Sequence, residues 1–262
     1  MIRSGLVSIT FRKLSARAII DLVKRTGLTG IEWGGDVHVL HGETSVAREV
    51  AQMTRDAGLL VAAYGSYYRV GVSEADGLAF ERVLESAITL GAPTVRVWAG
   101  NRGSADADES YGAAVIEDAR RIAVLAHAAG ITVSFEYHRN TLTDTNTSAH
   151  RLLEEVGHPN VRTYWQPPVA MSPAECLEGL DAVSDYLSNA HVFQWTAASP
   201  AAIADRRPLA EGAKVWRQYV ERIAATDRDH FALIEFVRDD APEQFLADAR
   251  VLSAWLAELN GR

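Results

Sequence analysis

The chain has little sulfur: Cys176 is the single cysteine among 262 residues, and there are three methionines. One thiol cannot close an intrachain disulfide, so a reducing, cytoplasmic setting is expected. Cys176 lies in Ser172-Pro173-Ala174-Glu175-Cys176, which reads as a helix start and predicts a buried structural thiol. Long apolar runs are also missing. No stretch approaches the roughly 18 residues of a membrane span, and the N-terminus lacks the apolar centre of a signal peptide, so no membrane partner is expected. Basic residues are outnumbered, 26 Lys+Arg against 34 Asp+Glu, for a formal net charge of −8. Nucleic acid needs a basic footprint and is not an expected partner. No Gly-x-Gly-x-x-Gly follows the first apolar run, which disfavours an open nucleotide-binding sheet. No Gly-rich phosphate cradle appears either, which favours an unphosphorylated substrate.

What is present is a rhythm. A helical pattern ends in Gly, and an apolar run then leads into a polar residue. Helical segments 19–26, 46–57, 80–90, 113–129 and 149–156 are closed by Gly27, Gly58, Gly91, Gly130 and Gly157. Glycine suits the left-handed position that ends a helix. Ser15, Thr44, Ser110 and Ser172 are the expected N-caps. Strands are predicted over 6–9, 30–33, 59–64, 94–98, 131–136, 161–166, 190–195 and 231–236, and a last helix over 242–259. Eight strands alternating with eight helical patterns, without a linker, predict a single domain over 1–262: an α/β fold closed as a (β/α)8 barrel. The C-terminal ends of such strands hold the site. Glu32, Tyr64, Arg96, Glu136, His138, Gln166, His191 and Glu235 are predicted to point toward that mouth.

Phe135-Glu136-Tyr137-His138 is the most informative stretch, because a carboxylate ending a buried strand is costly to desolvate without a cation or donors to meet it. Gln166, His191 and Glu235 repeat the design, so four strand ends offer oxygen or nitrogen ligands to one hard metal ion. Arg96 and Trp98 share one strand face. Alternation puts Trp195 on the face of His191, whereas Trp33 and Trp165 are expected to pack under helices. His127, His150, His158 and His230 read as surface residues.

These residues resemble the xylose isomerase-like barrel superfamily, in particular its sugar isomerases, epimerases and related dehydratases. The resemblance runs through nearly the whole chain and is most specific at Phe135-Glu136-Tyr137-His138, His191-Val192-Phe193-Gln194-Trp195, Pro208-Leu209-Ala210-Glu211-Gly212 and Ile234-Glu235-Phe236. It implies that Glu136, Gln166, His191 and Glu235 hold one divalent ion, with Gln166 standing where the family usually has Asp. Two carboxylates, one imidazole and one amide oxygen suit Mn²⁺, Mg²⁺ or Co²⁺. The resemblance also implies that Glu136 and Glu235 are the catalytic acid–base pair. His38, Arg96, Trp98, His138, Trp195 and Arg206 are the candidate substrate contacts, Arg206 because Asp205-Arg206-Arg207 is similar to a family loop that brings a basic residue to substrate. The activity expected first is a sugar or polyol isomerase or epimerase working through an enediolate. A keto-polyol dehydratase on the same site is the alternative, and a non-catalytic sugar-binding barrel a third. The expected partner is a small carbohydrate or polyol, with a homo-oligomer left open. The endonuclease branch of this barrel type needs several zinc ions and many more His ligands than these strand ends offer.

Overall fold

Buried apolar runs alternating with amphipathic ones are resolved here as strands and covering helices. The computed structural model describes residues 1–168, 171–197 and 204–260. Eight parallel strands close into one barrel: β1 (Ile2–Val7), β2 (Gly30–Gly34), β3 (Leu60–Arg69), β4 (Thr94–Trp98), β5 (Thr132–Glu136), β6 (Val161–Trp165), β7 (Leu187–Val192) and β10 (His230–Ile234), with β1 paired to both β2 and β10. The remaining two strands, β8 (Gln194–Thr196) and β9 (Asp205–Arg207), form a small antiparallel hairpin outside the barrel. Eight helices cover the sheet: α1 (Ala16–Lys24), α2 (Thr44–Asp56), α3 (Phe80–Leu90), α4 (Glu109–Ala128), α5 (Asn146–Val156), α6 (Pro173–Ala182), α7 (Ala213–Ala224) and α8 (Pro242–Asn260). No helix among the described residues is long and apolar enough to cross a membrane.

The core has two parts, as a closed barrel requires. A small inner cluster of Val7, Ile9, Ala62, Ala63, Tyr164, Phe231 and Leu233 fills the barrel. A larger layer between strands and helices takes the rest, including Trp33, whose Nε1 donates to Thr54 Oγ1 on α2 at 3.2 Å, and Trp165, which packs edge-on against Trp216 and Tyr219 of α7. Both tryptophans therefore pack under helices, as alternation predicts.

The punctuation holds in part. Gly27, Gly58, Gly91, Gly130 and Gly157 all have positive φ. Ser15 caps α1, and Ser172 caps α6 in a full capping box with Glu175. Thr44 opens α2 as expected, as its first residue after Glu43, whereas Asp108, not Ser110, caps α4 through Tyr111 N at 2.8 Å. A carboxylate two residues earlier outcompetes the Ser110 hydroxyl, which itself donates to Asp108. Cys176 is buried, as expected. His230 is a correction: it is 2% exposed, its Nδ1 lying against Ser188 O and its Nε2 against Thr226 Oγ1, because it begins β10 on the inside of a packed end. The run read as one strand over 190–195 is broken after Val192, so alternation cannot be carried to Trp195, which sits on the hairpin.

Candidate active site

The C-terminal mouth is built around a buried cation. Arg96, on β4, points into the barrel and is 1% exposed. A guanidinium taken out of water needs carboxylates around it. Its Nε donates to Glu32 Oε1 at 2.6 Å, and its Nη1 donates to Glu136 Oε2. Glu32 comes from β2, where the register with β3 shifts between Ile31 and Glu32. Trp98 Nε1 donates to the same Glu136 oxygen at 2.5 Å. Gly65 on β3 leaves the room this pairing needs, since a Cβ there would fall 2.7 Å from Arg96 Nη2 and 2.7 Å from Glu32 Oε1. Gly65→Ala is expected to destabilise the fold by about 1–3 kcal/mol, the usual cost of overpacking a site that cannot give way. Urea unfolding of the two proteins measures it.

Around His191 the geometry changes character. His191 is fully buried, and its Nδ1 faces Gln166 Oε1 at 3.2 Å, Glu136 Oε1 at 3.4 Å and Glu235 Oε2 at 3.5 Å. One ring nitrogen carries at most one hydrogen and cannot satisfy three oxygens. Ligand atoms each about 2.1 Å from one shared ion lie about 3.0–3.4 Å from one another, close to the 3.2–3.5 Å between His191 Nδ1 and these oxygens. The ligating atoms of Glu136, His191 and Glu235 all fall within 4.8 Å of one another, so this buried group could hold a metal ion. The donor set is oxygen-rich with one imidazole and fits a hard or borderline divalent ion. Gln166 adds an amide oxygen to the same point, and its Nε2 donates to Tyr137 O, which fixes the direction of the amide.

Charge in this cluster is unequally shared. Burial alone would raise the Glu136 carboxyl, but Arg96, His191 and His138 outweigh it and hold it well below the usual carboxylate range. Burial pushes Glu235 up to about 7, with His191 and the more weakly acting Arg96 pulling it down and Glu136 pushing it further up. Burial opposes the charged form of His191, yet Glu235, Glu32 and Glu136 together raise it to about 10.

The predicted contacts are distributed unevenly. Arg96, Trp98, Glu136, Gln166, His191 and Glu235 come together. His138 stacks on Trp98 with ring centroids 4.5 Å apart, and its Nδ1 donates to Arg139 O at 2.7 Å. Arg206 lies over the Phe236 ring at 4.5 Å and pairs with Asp240, and Trp195 donates from Nε1 to Phe236 O at 3.2 Å. These two reach the site through Phe236, the residue after Glu235. His38 does not join: its ring nitrogens lie 3.0 Å from Ser8 Oγ and 3.2 Å from Leu14 O, which ties it to the loop after β1. Tyr64 also turns away from the mouth. It is in register with Trp33, shares its outward side, and donates to Val39 O at 2.7 Å.

Two residues take site positions that sequence reasoning gave no role. Glu32 was legible as a strand-end carboxylate, and the signal for its role was Arg96, a cation inside a predicted strand. Tyr67 stands with φ 57°, its ring 5.2 Å from Trp98 and 4.9 Å from the Arg96 guanidinium. A left-handed tyrosine leaves no pattern in the sequence, and backbone strain of this kind gathers at functional sites.

This fold and cluster have counterparts among known proteins. A family model described as xylose isomerase-like TIM barrel matches residues 20–257. A 3-dehydroshikimate dehydratase from Bacillus anthracis is 28% identical over 280 residues, covering 95% of this chain and 96% of that protein. The crystal structure of a probable 3-DHS dehydratase involved in petrobactin synthesis, from Bacillus anthracis, superposes with a TM-score of 0.80 at 25% identity, over 97% of this chain and 99% of that one. A 3-keto-D-glucoside 4-epimerase from E. coli shares the fold at a TM-score of 0.71 and 17% identity, over 98% and 100% of the two chains.

The expectation of an isomerase is thereby overturned. The relatives named at 25% and 28% identity are dehydratases, that is lyases, while the epimerase likeness at 17% shows the fold alone. The physical reason for the error is that elimination and isomerisation both begin with removal of a proton alpha to a carbonyl, so the residue types do not separate them. The closed parallel barrel, the carboxylates and imidazole at its mouth, and a family match over residues 20–257 lead to one conclusion: this chain belongs to the xylose isomerase-like TIM barrel family.

Proposed function

We propose that this protein is a divalent-metal-dependent dehydratase acting on a small cyclic keto-polyol acid of the 3-dehydroshikimate kind. The observation that carries the reading is the buried convergence of Glu136, His191 and Glu235 at the barrel mouth. The near full-length likeness to a 3-dehydroshikimate dehydratase favours elimination over isomerisation.

Glu136, Gln166, His191 and Glu235 would hold one Mg²⁺, Mn²⁺ or Co²⁺ ion, which when bound supplies Lewis-acid polarisation of a substrate carbonyl. The protein's own groups divide the remaining work. Glu136 is kept as an anion by Arg96 and Trp98, which both donate to its Oε2, while among the described residues no arginine or indole bonds Glu235, which makes it the freer base of the pair. It takes the proton alpha to the carbonyl. The β-hydroxyl then leaves as water on receiving a proton. Glu235 returns to it the proton taken from carbon, while His138, whose Nδ1 hydrogen is held by Arg139 O, keeps a bare Nε2 that can accept from a substrate hydroxyl. For a ring ketone bearing two hydroxyls and one double bond, loss of one water followed by enolisation yields an aromatic diol.

Incubating the Mg²⁺- or Mn²⁺-loaded protein with 3-dehydroshikimate and following the near-ultraviolet absorbance of an aromatic product tests the reading. Folded, metal-loaded protein that leaves this compound unchanged would sink it.

Two further results are expected. Metal ligands must shed their protons, and His191 and Glu235 hold theirs near neutrality in the metal-free protein. Uptake of one ion at pH 7 should therefore release at least one proton, and apparent affinity should rise with pH; calorimetry in buffers of different ionisation enthalpy reads both. Replacing Gln166 by Asp should tighten metal binding, since a full charge would then face the ion. Unchanged affinity would make Gln166 a substrate contact or a packing residue instead.

A further inference from the structure

Glu32 has no place in the ligand set, yet it is the most enclosed carboxylate of the site at 0% exposure, and two side-chain nitrogens meet it. Arg96 Nε donates to Oε1 at 2.6 Å. The Tyr164 hydroxyl accepts from Asn189 Nδ2 at 2.7 Å, and its ring packs edge-on against that of His191 with centroids 5.1 Å apart. His191 Nε2 faces Oε2 at 3.4 Å. Glu32 and the oxygens of Glu136, Gln166 and Glu235 thus approach opposite nitrogens of one imidazole.

From this arrangement we infer that Glu32 is the positioning residue of the site: it fixes His191 as the Nε2–H tautomer, so that the Nδ1 lone pair is free to face the ion. A carboxylate only accepts, so the nitrogen that meets it must carry the hydrogen, and in a neutral ring the other nitrogen is then bare. Carboxylate–histidine–metal arrays set ring orientation and ligand basicity in this way. Charge supports the same role. Glu32, Glu136 and Glu235 bring three negative charges and Arg96 one positive, and with a neutral His191 the buried set retains two negative charges, the amount a single divalent ion cancels. Gln166 adds none. The carboxylate that completes this balance therefore lies behind the histidine rather than beside the ion.

The inference rests on the reading that the cluster holds a divalent ion, and its test separates the two. In ¹⁵N-imidazole NMR of the Mg²⁺-loaded protein, His191 should show a protonated Nε2 and an unprotonated Nδ1. Glu32→Gln should invert this. Arg96 Nε can only donate, so it claims the amide oxygen and turns the amide NH₂ toward His191 Nε2. That nitrogen must then accept, and the hydrogen moves to Nδ1, where it obstructs the ion. Mg²⁺ affinity by calorimetry should fall about 10- to 100-fold. Circular dichroism on the same samples confirms that the variant is folded. Mg²⁺ binding to the wild type with the hydrogen on Nδ1 would overturn the inference and leave the metal reading intact. Undiminished affinity in folded Glu32→Gln would do the same. Absence of Mg²⁺ and Mn²⁺ uptake by the wild type would overturn both. The wild-type spectrum decides the tautomer even where the variant does not fold.

Discussion

Glu235→Gln is expected to lower turnover of a 3-dehydroshikimate-type substrate by about 10² to 10⁴, the range that general acid–base catalysis contributes. The amide keeps the length of the side chain and one oxygen for a metal ion but cannot take a proton. KM should move much less than kcat, because the interaction removed belongs to the transition state. Glu136→Gln should also be impaired, by a different route: Arg96 and Trp98 both donate to the oxygen that is kept only if the amide turns its oxygen toward them, and the NH₂ then faces His191. Its loss should therefore appear in metal affinity as well as in turnover. Steady-state kinetics beside calorimetry distinguishes the two profiles. A Glu235→Gln protein that retains metal and more than a tenth of wild-type turnover would remove Glu235 from the role of base.

Arg96→Met is expected to cost about 3–5 kcal/mol of stability in the absence of divalent ions, the usual consequence of leaving buried charges without a partner. Arg96 pairs with both Glu32 and Glu136, and all three side chains are at most 4% exposed. Methionine fills similar volume, so packing alone should cost little. Once the guanidinium is gone, the two carboxylates must take up protons or admit water. Urea unfolding at neutral pH without divalent ions reads the loss. A change below 1 kcal/mol would mean that the cluster is already solvated or protonated and that Arg96 is not its electrostatic centre. Adding Mg²⁺ should not return the Arg96→Met protein to wild-type stability, because Glu32 would still lack the guanidinium that meets its Oε1.

The fold was readable because a barrel strand and its covering helix each leave a local period. Glycines at helix ends, apolar runs of four to six residues and a polar residue at each run's end are all short-range signals, and eight such units in one chain close most economically as a barrel. Glu136, His191 and Glu235 were legible for the same reason: each lies within one residue of a strand's C-terminal end, and parallel strands bring all such ends to one mouth. Trp33 and Trp165 followed from alternation. Alternation failed at Trp195, where the chain leaves the barrel at Phe193 and starts a hairpin, because period-two logic holds only while the strand lasts.

What the tertiary structure alone decided concerns pairings between distant strands. Residues 32, 96, 136 and 191 meet only when the sheet closes, and a register shift at Ile31/Glu32 helps set which of their atoms face one another. His38 shows the reverse, a plausible loop ligand whose two nitrogens are taken by Ser8 and Leu14. Tyr67 enters the site through a left-handed backbone conformation that only surrounding structure can impose. By itself the sequence determined which residue types stand at the mouth of a parallel barrel, since that depends on local period. Which oxygen meets which nitrogen depends on the closure and shear of eight strands, and no segment of the chain carries that information alone.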